Sequence, residues 1–146
     1  MKFLSTKDYY NFPCSHRRWR HDGHCAHVHG YSRSFHLTFE ASERNEVGFV
    51  LDFGGPAAKE IRRFLEETFD HTLLLDSDDP LLPRFRELEQ LGACVLKTWD
   101  DVGMEGTAFM VYGKVSEILA RHENGRVWCT RIEVRENNKN SGIFIP

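Results

Sequence analysis

The sequence predicts an α+β fold in which a four-stranded antiparallel sheet carries two long helices on one face. Residues 31–40 alternate between bulky or apolar and polar side chains, with Arg33 in the bulky set, which is the period of a half-buried strand. Residues 57–68 and 108–119 instead place apolar residues at helical spacing. The predicted order is strand, strand, helix, small insertion, helix, strand and strand, and this grouping favours an antiparallel sheet.

The first half of the chain supplies two strands and a helix. The predicted strands cover Met1–Phe12 and His27–Ala41. Gly54-Gly55-Pro56 opens the first helix, because proline is tolerated in the first helical turn. This helix is predicted to end near Phe69, and the polar pair Asp70-His71 follows it.

The later elements follow from the same patterns. They are a short helix, an extended piece, a second long helix and two strands, over residues 82–91, 93–99, 107–123, 126–136 and 143–145. Thr107 is the predicted N-cap of the long helix, and Asn124-Gly125 ends it. The segment 76–103 is predicted to be an insertion, and the sequence assigns it no function.

Length and composition limit the class of protein. The 146 residues predict one domain over 1–146, with enough chain to bury a core. The net charge of −3 gives no electrostatic basis for binding nucleic acid or a membrane surface. The four cysteines form no Cys-x-x-Cys pair, and the first residues contain no long apolar run. We therefore expect a cytoplasmic protein with free thiols.

The stretch from Gly23 to Tyr31 is the strongest chemical signal. If the second strand begins a little early, Cys25, His27 and His29 project to one face, and His16 is the nearest further histidine upstream. Imidazole and thiolate are ligands that zinc prefers. The sequence therefore predicts a metal site here, and the alternative is a set of surface histidines in a polar loop.

Other polar positions are less specific. The basic loop at Arg17, Arg18 and Arg20 is equally compatible with contact to an anionic substrate group and with simple solvation. An Asp beside a His, as in Asp70-His71, can fix the tautomer of the imidazole. Glu136, at the end of the last long strand, is by itself a surface carboxylate.

Several of these motifs resemble the 6-pyruvoyltetrahydropterin synthase and 6-carboxytetrahydropterin synthase family. The resemblance lies in His16, in Cys25-Ala26-His27-Val28-His29, in Phe69-Asp70-His71-Thr72-Leu73-Leu74, in Thr107 and in Val134-Arg135-Glu136. Family members usually read His-Gly-His with a longer gap after the cysteine. Matching Cys25 to His29 at that longer spacing would put Tyr31 in a ligand position, which zinc would not favour. His27 and His29 are therefore the predicted pair.

The resemblance implies the tunnelling fold, in which sheets of several subunits join into a barrel, and a homo-hexamer built as a dimer of trimers. It implies Zn²⁺ held by His16, His27 and His29, with Cys25, Asp70 and His71 as catalytic residues. Glu136 and Thr107 would bind the pterin. The implied reaction converts 7,8-dihydroneopterin triphosphate to 6-carboxytetrahydropterin, acetaldehyde and triphosphate, a step towards queuosine.

Three other interpretations remain open. The chain could be a 6-pyruvoyltetrahydropterin synthase, which eliminates triphosphate. It could be a structural zinc module that binds a partner protein, with Cys25, His16, His27 and His29 as a closed four-ligand site. It could also be a metal-free binding protein.

Overall fold

The structure, a computed structural model, describes residues 1–146. Its six strands are β1 to β6 in chain order, over Phe3–His16, His29–Ala41, Thr72–Asp76, Leu96–Trp99, Val127–Arg135 and Ser141–Phe144. Its three α-helices are α1 to α3, over Pro56–Phe69, Leu82–Gln90 and Met104–Glu123. A short 3-10 turn at His24–Ala26 precedes β2.

All six strands belong to one sheet, in the spatial order β4-β3-β1-β2-β5-β6. The part from β1 to β6 is antiparallel, as predicted, but β3 pairs with β1 in parallel and β4 pairs with β3 in parallel. The α+β class is confirmed, whereas the prediction of a four-stranded antiparallel sheet is wrong. The apolar run at 73–75 is a strand buried along its whole length, which gives no alternating pattern by which to recognise it.

The 76–103 insertion adds the helix α2 and the strand β4 to the fold. Asp76 ends β3, the exposed helix α2 crosses over, and β4 returns parallel to β3. Leu73, Leu75 and Leu96 form a small apolar cluster there, against which Leu82 and Phe85 of α2 pack. The short helix predicted over 82–91 is confirmed as α2, the extended piece predicted over 93–99 contains β4, and the two predicted long helices are α1 and α3.

The main core lies between the sheet and the helices α1 and α3. The first helix has the predicted bounds and buries Ala57, Ala58, Ile61, Leu65 and Phe69. The third helix buries its predicted stripe but begins at Met104, with Gly103 as the residue before its first turn. Thr107 is thus inside the helix, and its prediction as the N-cap is wrong. Asn124, in the left-handed conformation with a φ of 49°, ends the helix as expected.

Strand bounds differ from the predictions mainly near the histidines. The first strand continues to His16 rather than ending at Phe12, and the second begins at His29 rather than His27. None of the helices combines the length and the apolarity that a membrane crossing requires.

Candidate active site

The ends of β1 and β2 bring two of the predicted metal ligands together. His16 lies opposite His29 in the antiparallel register, and residues directly opposite each other share a sheet face. Their ring centroids are 4.4 Å apart. His29 Nδ1 lies 2.8 Å from the His27 carbonyl oxygen, to which it donates in the neutral form, so Nε2 is left as an acceptor.

His27 is not part of this group. It follows the 3-10 turn, before β2 begins, and its side chain is exposed. The third ring of the group belongs to Tyr31, whose centroid lies 5.6 Å from that of His29 and 6.4 Å from that of His16. The alternation of β2 produces this arrangement, because residues two apart face the same side. Tyr31 therefore stands at the position that the longer spacing would assign to a ligand.

The residues present do not fit a three-histidine zinc site as the chain is folded here. No group of three or more His, Cys, Asp or Glu side chains is arranged to hold a metal ion. Cys14, which lies opposite Tyr31, does not complete a set with the two histidines, and the closed four-ligand site that includes Cys25 is not assembled either. Zinc binding by His16, His27 and His29 stays a prediction.

A buried arginine lies on the same face of β2. Arg33 is fully inaccessible to solvent, although arginine is almost never buried without a charged partner. Its Nη1 donates to Thr107 Oγ1 at 3.0 Å and its Nη2 to the Val102 carbonyl oxygen at 2.9 Å. Burial lowers the pKa of this guanidinium, while Cys14 and Glu136 nearby act in the opposite direction. Thr107, a predicted pterin contact, is thus occupied in holding Arg33.

Burial also controls the state of His16. The side chain is 4% exposed, and its Nδ1 has no hydrogen-bond partner. Burial, followed by the positive charge of Arg33, lowers the pKa of His16 from 6.5 to about 3. The imidazole is therefore neutral at physiological pH.

The loop that carries Cys25 is fixed by ion pairs to the insertion. Arg17 forms a two-bond pair with Asp79, at 2.6 and 2.8 Å, and its Nη1 also donates to the Ala26 carbonyl oxygen at 3.1 Å. Arg18 contacts Asp76 and Asp101, and Arg20 contacts Asp78. The sequence suggested either contact with an anionic substrate group or simple solvation for this loop. Instead, its arginines pair with carboxylates of the chain itself. Opposite charges in the two loops were the available signal.

Cys25 lies in the 3-10 turn, half-buried and with a free thiol. The Arg18 N–H donates to the Cys25 carbonyl oxygen at 2.8 Å, which holds the turn against the end of β1. Its predicted role as a catalytic base stays a prediction.

Asp70 and His71 form the arrangement that the dipeptide suggested. His71 Nδ1 lies 2.6 Å from Asp70 Oδ1, and the imidazole is exposed. His71 has a φ of 57°, in the left-handed region that few residues other than glycine adopt, and its N–H donates to the Pro13 carbonyl oxygen. A strained backbone of this kind is often retained at functional sites. His71 and Tyr31 line the same surface cavity of about 450 Å³.

Glu136 follows the end of β5, in the turn before β6. Its N–H donates to the Asn140 carbonyl oxygen and its Oε1 accepts from Asn140 Nδ2, both at 3.3 Å. One carboxylate oxygen therefore has no strong partner within the chain. The pterin-binding role of Glu136 stays a prediction.

The fold and these side chains define a class of α+β protein in which an Asp-oriented histidine and a two-histidine cluster lie at one end of a curled sheet. The sequence model described as "6-pyruvoyl tetrahydropterin synthase" matches residues 6–145, and the chain belongs to this family.

Individual relatives agree with this membership. Over 69 residues the chain is 32% identical to the 6-carboxy-5,6,7,8-tetrahydropterin synthase of Rickettsia conorii, a match that covers 47% of this chain and 49% of that protein. The match thus spans about half the length of that relative. The enzyme of the same name from Bacillus subtilis is 26% identical over 124 residues, which cover 85% of this chain and 72% of that protein.

Solved structures show the same fold. An uncharacterised protein of Wolinella succinogenes superposes with a TM-score of 0.82 at 21% identity, over 99% of this chain and 98% of that one. The 6-pyruvoyl tetrahydropterin synthase of Caenorhabditis elegans gives a TM-score of 0.67 at 16% identity, over 100% of this chain and 96% of that one.

Proposed function

We propose that this protein is a tetrahydropterin synthase of the 6-carboxytetrahydropterin type, acting on 7,8-dihydroneopterin triphosphate. One observation carries the proposal: an imidazole oriented by a carboxylate, His71 with Asp70, stands at the rim of a cavity in a member of this family. The relatives named above as 6-carboxytetrahydropterin synthases support this branch rather than the 6-pyruvoyl branch.

The side chains suit proton transfers on a bound pterin. Glu136 is proposed to accept two parallel hydrogen bonds from the amino group and ring N–H of the pyrimidine edge, which fixes the orientation of the ring. Cys25 is proposed to remove a proton from the side chain of the substrate. Asp70 keeps the His71 Nδ1 protonated and leaves Nε2 to exchange a proton with the substrate.

The same reaction requires the departure of triphosphate, and in the 6-carboxy branch also the release of acetaldehyde. Zinc has no step in this proposal, because the structure gathers only two imidazoles where three were predicted.

A homo-hexamer is part of the proposal. The β3 strand pairs with β1 only at Cys14–His16, so the stretch Phe3–Asn11 has no neighbouring strand on that side. The outermost strands of the sheet are β4 on that side and β6 on the other. Unpaired edges favour association with further strands, and joining subunit sheets into a barrel would cover both edges. Light scattering tests this, and a stable monomer at micromolar concentration would contradict it.

The activity is tested by incubating the protein with 7,8-dihydroneopterin triphosphate and identifying the products by mass. We expect 6-carboxytetrahydropterin and acetaldehyde, whereas 6-pyruvoyltetrahydropterin would assign the other branch.

The sharpest variant is His71→Asn, because asparagine also tolerates the left-handed backbone but cannot transfer the proton. It should fold normally and lose about 10²- to 10⁴-fold in kcat. Unchanged turnover would remove His71 from the mechanism.

A further inference from the structure

The face of β2 that carries His29, Tyr31 and Arg33 contains the positive charge of Arg33, which is unfavourable beside a divalent metal ion. Arg33 forms no ion pair, since its guanidinium contacts only the Thr107 hydroxyl and the Val102 carbonyl. Its Nε is buried and has no hydrogen-bond partner. An uncompensated buried charge is costly, and binding a charge of the opposite sign relieves that cost.

The groups near this charge are two imidazoles and a phenol. His16 is buried with Nδ1 unpartnered, and Tyr31, about one third exposed, contributes a phenolic hydroxyl. His29 is held by the His27 carbonyl so that its Nε2 is free to accept. The Glu136 carboxylate is close enough to act on the charge of Arg33, but no hydrogen bond joins the two. The site therefore holds a buried cation that has no ion-pair partner within the chain.

We propose that the cluster of His16, His29, Tyr31 and Arg33 binds an oxyanion, through a phosphate or carboxylate oxygen, and not a divalent cation. The tyrosine hydroxyl, the free Arg33 N–H and a ring N–H of His16 supply donors to the anion. The free nitrogen of His29 suits the hydroxyl of a protonated phosphate. A dication at this position would be repelled by Arg33 and would lack a third ligand, since Tyr31 stands there.

The alternation of β2 leads to this arrangement. Tyr31 and Arg33 occupy the phase of β2 that its neighbours Phe35, Leu37 and Phe39 use to enter the core. A polar residue in the inward phase of a strand must find a partner. Two nitrogens of Arg33 donate to neutral oxygens. Its Nε has no hydrogen-bond partner, and its charge has no ion-pair partner.

Binding of an oxyanion to this cluster does not depend on pterin chemistry, so the test uses no pterin. The full chain is purified without chelator, its zinc is measured by mass spectrometry, and inorganic phosphate and acetate are titrated separately by calorimetry at neutral pH. We expect substoichiometric zinc and saturable binding of at least one anion, and the tighter of the two identifies the class of oxygen that is bound.

Three variants locate the anion. Tyr31→Phe removes only the hydroxyl, and Arg33→Met removes the charge at similar length. Each should weaken binding by about tenfold or more, the worth of one charge-assisted hydrogen bond. Ser32→Ala is the matched control, because the next residue along β2 faces the opposite side of the sheet. Circular dichroism checks folding, and if Arg33→Met does not fold, Tyr31→Phe decides.

Tyr31→His supplies a third imidazole and should bind zinc more tightly than the natural chain does. Stoichiometric zinc in the natural protein would overturn the proposal. So would the absence of binding by both anions, or binding that Tyr31→Phe leaves unchanged, since the anion would then lie on the surface arginines. A Tyr31→His variant with no gain in zinc affinity would overturn the placement of Tyr31 at the third ligand position.

Discussion

The pair between Arg17 and Asp79 should be among the polar contacts that matter most for stability. The Asp79 carboxylate is inaccessible to solvent, and it accepts from Arg17 Nε at 2.6 Å, from Arg17 Nη2 at 2.8 Å and from the Leu81 N–H at 2.8 Å. The perturbation is Arg17→Met, which keeps the length of the side chain and removes the guanidinium. It leaves a buried carboxylate with one donor in place of three.

Breaking a buried pair from one side costs roughly 3–5 kcal/mol. We expect about 3 kcal/mol, at the low end of that range, because the Leu81 amide still donates and because Arg17 is 13% exposed. The control is Arg84→Met, which removes an ion pair to Glu87 whose side chains are 76% and 60% exposed. That variant should change the free energy of unfolding by less than about 0.5 kcal/mol.

The assay is urea unfolding of both variants at several pH values. Burial works to raise the pKa of Asp79, but the Arg17 hydrogen bonds and the Leu81 amide outweigh it and hold the pKa below 3.8. A lowered carboxyl pKa stabilises the fold above the ordinary value, and this contribution is lost as the pH falls through the folded value. The difference between Arg17→Met and the natural chain should therefore shrink below pH 3.8. A loss no larger than that of Arg84→Met at neutral pH would refute the reasoning.

Two further predictions concern the C-terminal half. A Cβ on Gly142 would lie 2.6 Å from the Glu105 amide nitrogen, so Gly142→Ala should force β6 away from α3 and cost about 1–3 kcal/mol in urea unfolding. Gly113→Ala, in open space on α3, should instead stabilise by about 0.5–1 kcal/mol, and equal effects of the two would contradict this packing. Glu136→Gln replaces one acceptor by a donor and should cost roughly 2–4 kcal/mol in pterin binding. Fluorescence titration measures it, and unchanged affinity would reduce Glu136 to a surface carboxylate.

Amphipathic elements could be predicted well from the sequence. The bounds of α1 and the buried stripe of α3 are confirmed, because a helix with one apolar face carries its orientation in its own spacing. The alternation of β2 and of β5 was readable for the same reason. The strand β3 was not, since it is buried on both faces, and β4 was predicted as an extended piece but not as a parallel member of the sheet.

The candidate site was predictable in composition but not in geometry. The residues 16, 25, 27 and 29 were found by residue type, and the Asp70–His71 pair is formed as expected. The residue at which β2 begins decides which rings meet. The strand begins at His29, two residues later than predicted, so Tyr31 joins the group in place of His27. Arg33 was missed as a site residue. The alternation of β2 showed that it shares a face with apolar residues, but the sequence did not show that its side chain is fully buried.

By itself, the sequence determined the α+β class, the family resemblance and the residue types available for chemistry. Periodicity and motif spacing are local properties, and a chain carries them before it folds. Only the tertiary structure decided that His16 meets His29 and Tyr31, that the basic loop pairs with Asp76 and Asp79, and that Arg33 is buried under the site. These outcomes depend on strand register and on contacts between residues up to 74 positions apart, which the local pattern does not encode.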